Sequence, residues 1–146
     1  MEEIVSYNPP LVLAVLAMTT VQLFKFFFAW AWFGRPDFTR LVGTGGLPSA
    51  HSASVTALSA TVGFEAGWNS TLFGAVCFFS LVIMYDATGI RRAAGRQAQI
   101  LNRMLDELKD FHKLEPVRLK ELLGHTPLEV LLGAAYGILL AVVFHR

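Results

Sequence analysis

Two apolar runs, Leu11 to Phe33 and Pro127 to Phe144, limit what this chain can fold into more than any other feature. Each is about the 20 residues a helix needs to cross the hydrocarbon core of a bilayer, where every backbone polar group must find its partner inside the segment. Helix is therefore expected in both. Composition agrees: 54 % of the residues are hydrophobic and only 16 % charged, against about a quarter charged in a soluble globule. The 146 residues are one domain's worth of chain, 1–146, without repeats or low-complexity stretches.

Two further spans are expected. Ser52 to Trp68 is short and rich in Ser, Thr and Ala, a composition suited to packing against other helices, and Thr71 to Ile90 is the more apolar. The expected fold is an all-α integral membrane bundle of about four transmembrane helices, 11–33, 52–68, 71–90 and 127–144. Gly133 and Gly137, four apart, offer a face for close helix contact or self-association. The first span ends in aromatic residues (Phe26, Phe27, Phe28, Trp30, Trp32), as an interface favours.

Charge collects in the segment 91–126, which carries Arg91, Arg92, Arg96, Arg103, Lys109, Lys113, Arg118 and Lys120. Ile100, Leu101, Met104, Leu105 and Leu108 keep helical spacing, so an amphipathic surface helix is expected there. The positive-inside rule puts this segment in the cytoplasm. With four spans, the loop from Gly34 to Ala50, with Arg35 and Arg40, lies on the same side. An acidic opening, MEEIVSYNPP, lacks the basic start of a cleavable signal. The lone Cys77 excludes a disulfide within the chain, and a net charge of +1 points away from nucleic acid as a partner.

GGLPSAHSAS, residues 45 to 54, places glycines, a proline and His51 at the mouth of a helix. Ser49 is a good N-cap, and a helix N-terminus offers unpaired N–H groups to an anion. By itself this is a capped helix with an interfacial histidine. GHTPLEV, Gly124 to Val130, repeats the arrangement. Thr126, Pro127 and Glu129 form a capping box, which accounts for Glu129 but not for His125. A carboxylate four positions after a histidine can reach the ring, fix its tautomer and raise its nucleophilicity. Lys25, inside the cytoplasmic end of the first span, is either a snorkelling anchor or a cation for the site. Arg35, Arg118 and Lys120 are further candidates, since a phosphoryl transition state spreads charge over three oxygens. Asp86 reads as an interfacial ion pair with Arg91 or Arg92, or the arginines as binders of a lipid headgroup.

In combination these motifs resemble the type 2 phosphatidic acid phosphatase superfamily, which includes bacterial acid phosphatases and vanadium haloperoxidases. LPSAHS resembles its Pro-Ser-Gly-His motif, Lys25 with Arg35-Pro36 its first motif, and HTPLEV the end of its third. YDATGIRRAAGRQAQILN with ELLGHTPLEV resembles a divergent branch of small membrane proteins in that superfamily, from about Lys25 to Gly137. The resemblance implies that His125 attacks phosphorus and forms a phosphohistidine, that Glu129 orients it, and that His51 protonates the leaving alkoxide. It further implies that Lys25, Arg35, Ser49 and Arg118 hold the phosphate oxygens, with no metal or other cofactor. The implied substrate is a lipid phosphate monoester, such as phosphatidylglycerophosphate, phosphatidic acid or a prenyl phosphate, at the inner face of the plasma membrane. Here the lysine lies further from Arg-Pro, Ala50 stands for glycine, Glu129 for aspartate, and Arg118 falls one position early, with Lys120 the alternative. A non-catalytic anionic-lipid-binding or assembly protein is the rival reading, and a transporter subunit using Asp86 and Lys25 a weaker one.

Overall fold

The computed structural model describes residues 8–38, 46–109, 119 and 124–145, without the side chains of 90–92 and 108–109. All regular elements among them are helices: α1 (Pro9–Phe33), α2 (Ala50–Ala66), α3 (Thr71–Thr88), α4 (Ile90–Lys109) and α5 (Pro127–His145).

Local chemistry sets the helix ends. Asn8 Oδ1 accepts the Leu11 N–H at 3.1 Å, and prolines that have no N–H to lose open α1. Gly34, at φ 70°, closes it with an N–H bond to the Trp30 carbonyl. Ser49 caps α2 and Ser70 caps α3, and the N–H of Gly89 closes α3 on Tyr85. Gly67, at φ 89°, ends α2 at Ala66, two residues short of the expected Trp68. The Trp68 ring instead folds back over Gly63, where a β-carbon would clash with it.

The outer helices are apolar toward the surroundings and small-sided toward one another. Leu11, Phe24, Phe28, Phe78, Phe79, Leu131 and Leu139 are all exposed, whereas the buried cluster is Ala17, Val21, Ala50, Ala53 and Ala57. Such an inside-out pattern suits lipid as solvent. Three stretches are long and apolar enough to cross a membrane: Pro9–Phe33, the run beginning at Thr71, and Pro127–His145. The fourth expected span, α2, has 17 residues and sits at the centre, packed by α1, α3 and α5.

Its composition explains that place. Alanines let neighbouring backbones approach, and hydroxyls turned inward bond across helices. Thr56 Oγ1 donates to the Ala134 carbonyl of α5 at 3.1 Å. Ser80 Oγ of α3 lies 2.7 Å from Ser59 Oγ and 3.1 Å from the Val55 carbonyl. Thr20 of α1 and Tyr136 of α5 pair at 2.8 Å. Gly133 and Gly137 press against Ser49 and Ala53, where a β-carbon would collide with carbonyl oxygens. The glycine face put forward for self-association is therefore occupied within the chain, by α2.

Among the described residues, α4 packs against α3 and no other helix. Ala98 and Asn102 are buried, while Ile100, Leu101 and Met104 stand exposed beside Arg96 and Arg103. That is the distribution of a helix lying along an interface. The Asn102 amide grips both backbone groups of Leu119, donating to its carbonyl at 2.8 Å and accepting its N–H at 2.9 Å.

Candidate active site

The C-terminal ends of α1 and α3 and the N-terminal ends of α2 and α5 lie at one end of the bundle, as chain direction requires in an up-and-down arrangement. His125 precedes α5 and is buried, 4 % exposed. Its N–H donates to the Ala87 carbonyl at the end of α3, at 2.9 Å. One turn on, Glu129 Oε2 lies 2.9 Å from His125 Nδ1. A carboxylate can only accept, so Nδ1 carries the proton and Nε2 of the neutral ring keeps its lone pair.

Glu129 also closes the capping box: Oε2 accepts the Thr126 N–H at 3.1 Å, and the Glu129 N–H reaches Thr126 Oγ1 at 3.3 Å. The cap and the contact with the ring thus share one oxygen. The Glu129 carbonyl accepts the Ser49 N–H at 3.0 Å, tying the mouth of α2 to the first turn of α5. Gly133, a turn further along, makes room for that approach.

This tie brings the two imidazoles together. His51, in the first turn of α2, is half-buried, and its ring centre lies 6.5 Å from that of His125 with the planes at 60°. Lys25 of α1 is buried, 8 % exposed, and lies within electrostatic reach of Glu129. Ser49 is fully buried, and its Oγ accepts from the Ser52 N–H at 3.3 Å and the Ser52 hydroxyl at 3.0 Å. With two bonds accepted, the Ser49 hydroxyl retains only its proton to offer.

Other expected residues are less closely gathered. Arg35 stands exposed just beyond the Gly34 cap. Asp86 is half-buried beside Ala87, on whose carbonyl His125 docks. Arg118, Lys120 and the side chains of Arg91 and Arg92 lie outside the described residues, so the expectations placed on them stay as stated. Among the described residues, no cluster of three His, Cys, Asp or Glu side chains could hold a metal ion.

Two contributors went unrecognised in the sequence. The Ala87 carbonyl anchors His125 through the backbone, which leaves no side-chain signature. Gly133 was read for helix packing, and its role in seating the Ser49 turn needs the partner element to be visible.

A family model described as "Divergent PAP2 family" matches residues 6–140. An uncharacterized membrane protein of Bacillus subtilis (strain 168), YuiD, is 42 % identical over 147 residues, covering 93 % of each chain. No solved structure matches.

Proposed function

The chain belongs to the divergent PAP2 family, and from that premise we propose that it is an integral membrane phosphatase, hydrolysing a lipid phosphate monoester through a phosphohistidine on His125. The observation that carries this reading is the pair of facing rings, one held by a carboxylate through Nδ1.

In the first step Nε2 of His125 attacks phosphorus. The P–N bond forms as the P–O bond to the lipid alcohol breaks, and protonated His51 gives its proton to the departing oxygen. Glu129 stabilises the charge that the His125 ring gains. In the second step a water attacks phosphorus, yields its proton to His51, and releases inorganic phosphate with His125 restored. A gap of 6.5 Å between ring centres is too wide for a direct hydrogen bond. A phosphoryl group would lie between the two rings, with the attacking nitrogen on one side and the proton donor on the other. Lys25, with Arg35 and either Arg118 or Lys120, supplies the cations for the equatorial oxygens. The proton of Ser49 serves the same group.

The positive-inside rule, applied to the basic segment, supports a site on the cytoplasmic side of the plasma membrane. Phosphatidylglycerophosphate and phosphatidic acid are the first substrates to try, with prenyl phosphates after them. Purified protein in detergent should release phosphate from such a lipid without added metal, and vanadate, which mimics five-coordinate phosphorus, should block it. Separate His125→Ala and His51→Ala variants should each lose nearly all activity while staying folded; retention in both overturns the proposal.

The altered spacing from Lys25 to Arg35-Pro36 favours a second reading, a protein that binds anionic lipid without turning it over. Stoichiometric binding of phosphatidic acid with no phosphate released would select it.

A further inference from the structure

α2 shows more than its ends. Between Ala50 and Ala60 every residue is buried except His51, Ser54, Val55 and Leu58, which are half-buried. The spacing i, i+3, i+4, i+7 puts these four on one face of the helix.

The other faces are occupied. Ser49, Ala53 and Thr56 meet α5 at Gly133, Gly137 and the Ala134 carbonyl. Ala50, Ala53 and Ala57 pack with Ala17 and Val21 of α1. Ser59 and the Val55 carbonyl meet Ser80 of α3. α5 touches both α1 and α3, whereas α1 and α3 do not meet among the described residues. The remaining face of α2 is thus the floor of a furrow walled by α1 and α3. It opens at the outer surface of the bundle and rises about 10 Å from Leu58 to His51, seven residues at 1.5 Å each.

Resting on the phosphatase reading of the site, we infer that this furrow seats one hydrocarbon chain of the substrate and delivers the attached phosphate to His51 and His125. Its floor is one helix face wide, with Val55 and Leu58 apolar and Ser54 small, which suits a single acyl or prenyl chain. Its upper end is the ring that faces His125. Substrate then reaches the site sideways from the leaflet, without leaving the bilayer.

The test uses full-length protein in lipid nanodiscs and a phosphatidic acid with a diazirine on its acyl chain. Adducts should concentrate on residues 54–58 and be displaced by unlabelled phosphatidic acid but not by diacylglycerol. Adducts distributed over α1, α3 and α5 in proportion to exposure, displacement by diacylglycerol, or cross-links from 54–58 to a second copy of the chain would each overturn the inference. Ser54→Leu and Val55→Phe, which fill the furrow, should lower by about tenfold the ratio of kcat/KM for long-chain phosphatidic acid to that for p-nitrophenyl phosphate. Leu139→Phe, on the exposed face of α5, should leave that ratio unchanged. An unchanged ratio in both furrow variants also counts against it. If the wild type hydrolyses neither ester, the phosphatase reading fails, and the cross-linking arm alone decides the furrow.

Discussion

Glu129 performs two tasks with one oxygen, capping α5 and holding His125 Nδ1. Substitution can separate them. A glutamine is nearly isosteric and can still accept the Thr126 N–H, but it does not stabilise a positively charged ring. Glu129→Gln should therefore lower kcat on the order of a hundredfold or more with little change in KM, while thermal stability in detergent shifts by only a few degrees. A fall in kcat that merely follows a fall in Tm would reduce Glu129 to a helix cap. At this scale much was legible in advance, because caps and i, i+4 pairs are local. Ser49, Thr126 and Glu129 announce helix starts in their own neighbourhood, and the His125–Glu129 pair follows from helix geometry. The docking of His125 on Ala87 was not legible, since any residue has a carbonyl to offer.

Among the elements, α2 is the one whose place is least legible from its own segment. Its Ser, Thr and Ala content marked it as a helix that packs, but nothing in a single segment says that three others will surround it. That outcome follows from size: small residues on α2 meet Gly133 and Gly137 on α5 and Ala17 on α1, so the backbones close up. Gly137→Ala should drive a methyl into the Ala53 carbonyl and the Thr56 hydroxyl and destabilise the bundle by about 1–3 kcal/mol, read as earlier unfolding in a detergent titration. Gly74→Ala on α3, with open space at its β-position, should cost nothing. Equal effects at both positions would contradict the assignment of the glycine face to α2. Ser80→Ala removes bonds to Ser59 and Val55 and should lose about 1 kcal/mol, given roughly 0.6 kcal/mol for a typical bond between membrane helices.

For the whole molecule, parity of the spans decides which ends meet. Alternating span directions place the two histidine-bearing mouths at the same end, and the structure puts the rings 6.5 Å apart. Which side of the membrane that end faces is a separate proposal, resting on the arginines and lysines of the basic segment. A cysteine in place of Gln99, exposed on the polar face of α4, in a Cys77→Ser background, should react with an impermeant maleimide in inside-out vesicles and not in intact cells. The reverse pattern would move the site to the other leaflet. The cation set was only partly legible: Lys25 is buried near Glu129, but Arg35 sits exposed at the rim. A loop cation gains its position from long-range contacts that spacing alone does not encode.

Covalent phosphoryl transfer to His125 can be read by trapping the phosphorylated protein. His51→Ala protein is mixed with p-nitrophenyl phosphate, whose leaving group needs little help from an acid, then quenched in alkali and mapped by mass spectrometry. A phosphoryl group should appear on the ring of His125 and accumulate because water is no longer activated, and it should be absent from His125→Ala. Phosphate released by the wild type with no phosphoryl group on His125 in any variant would contradict it.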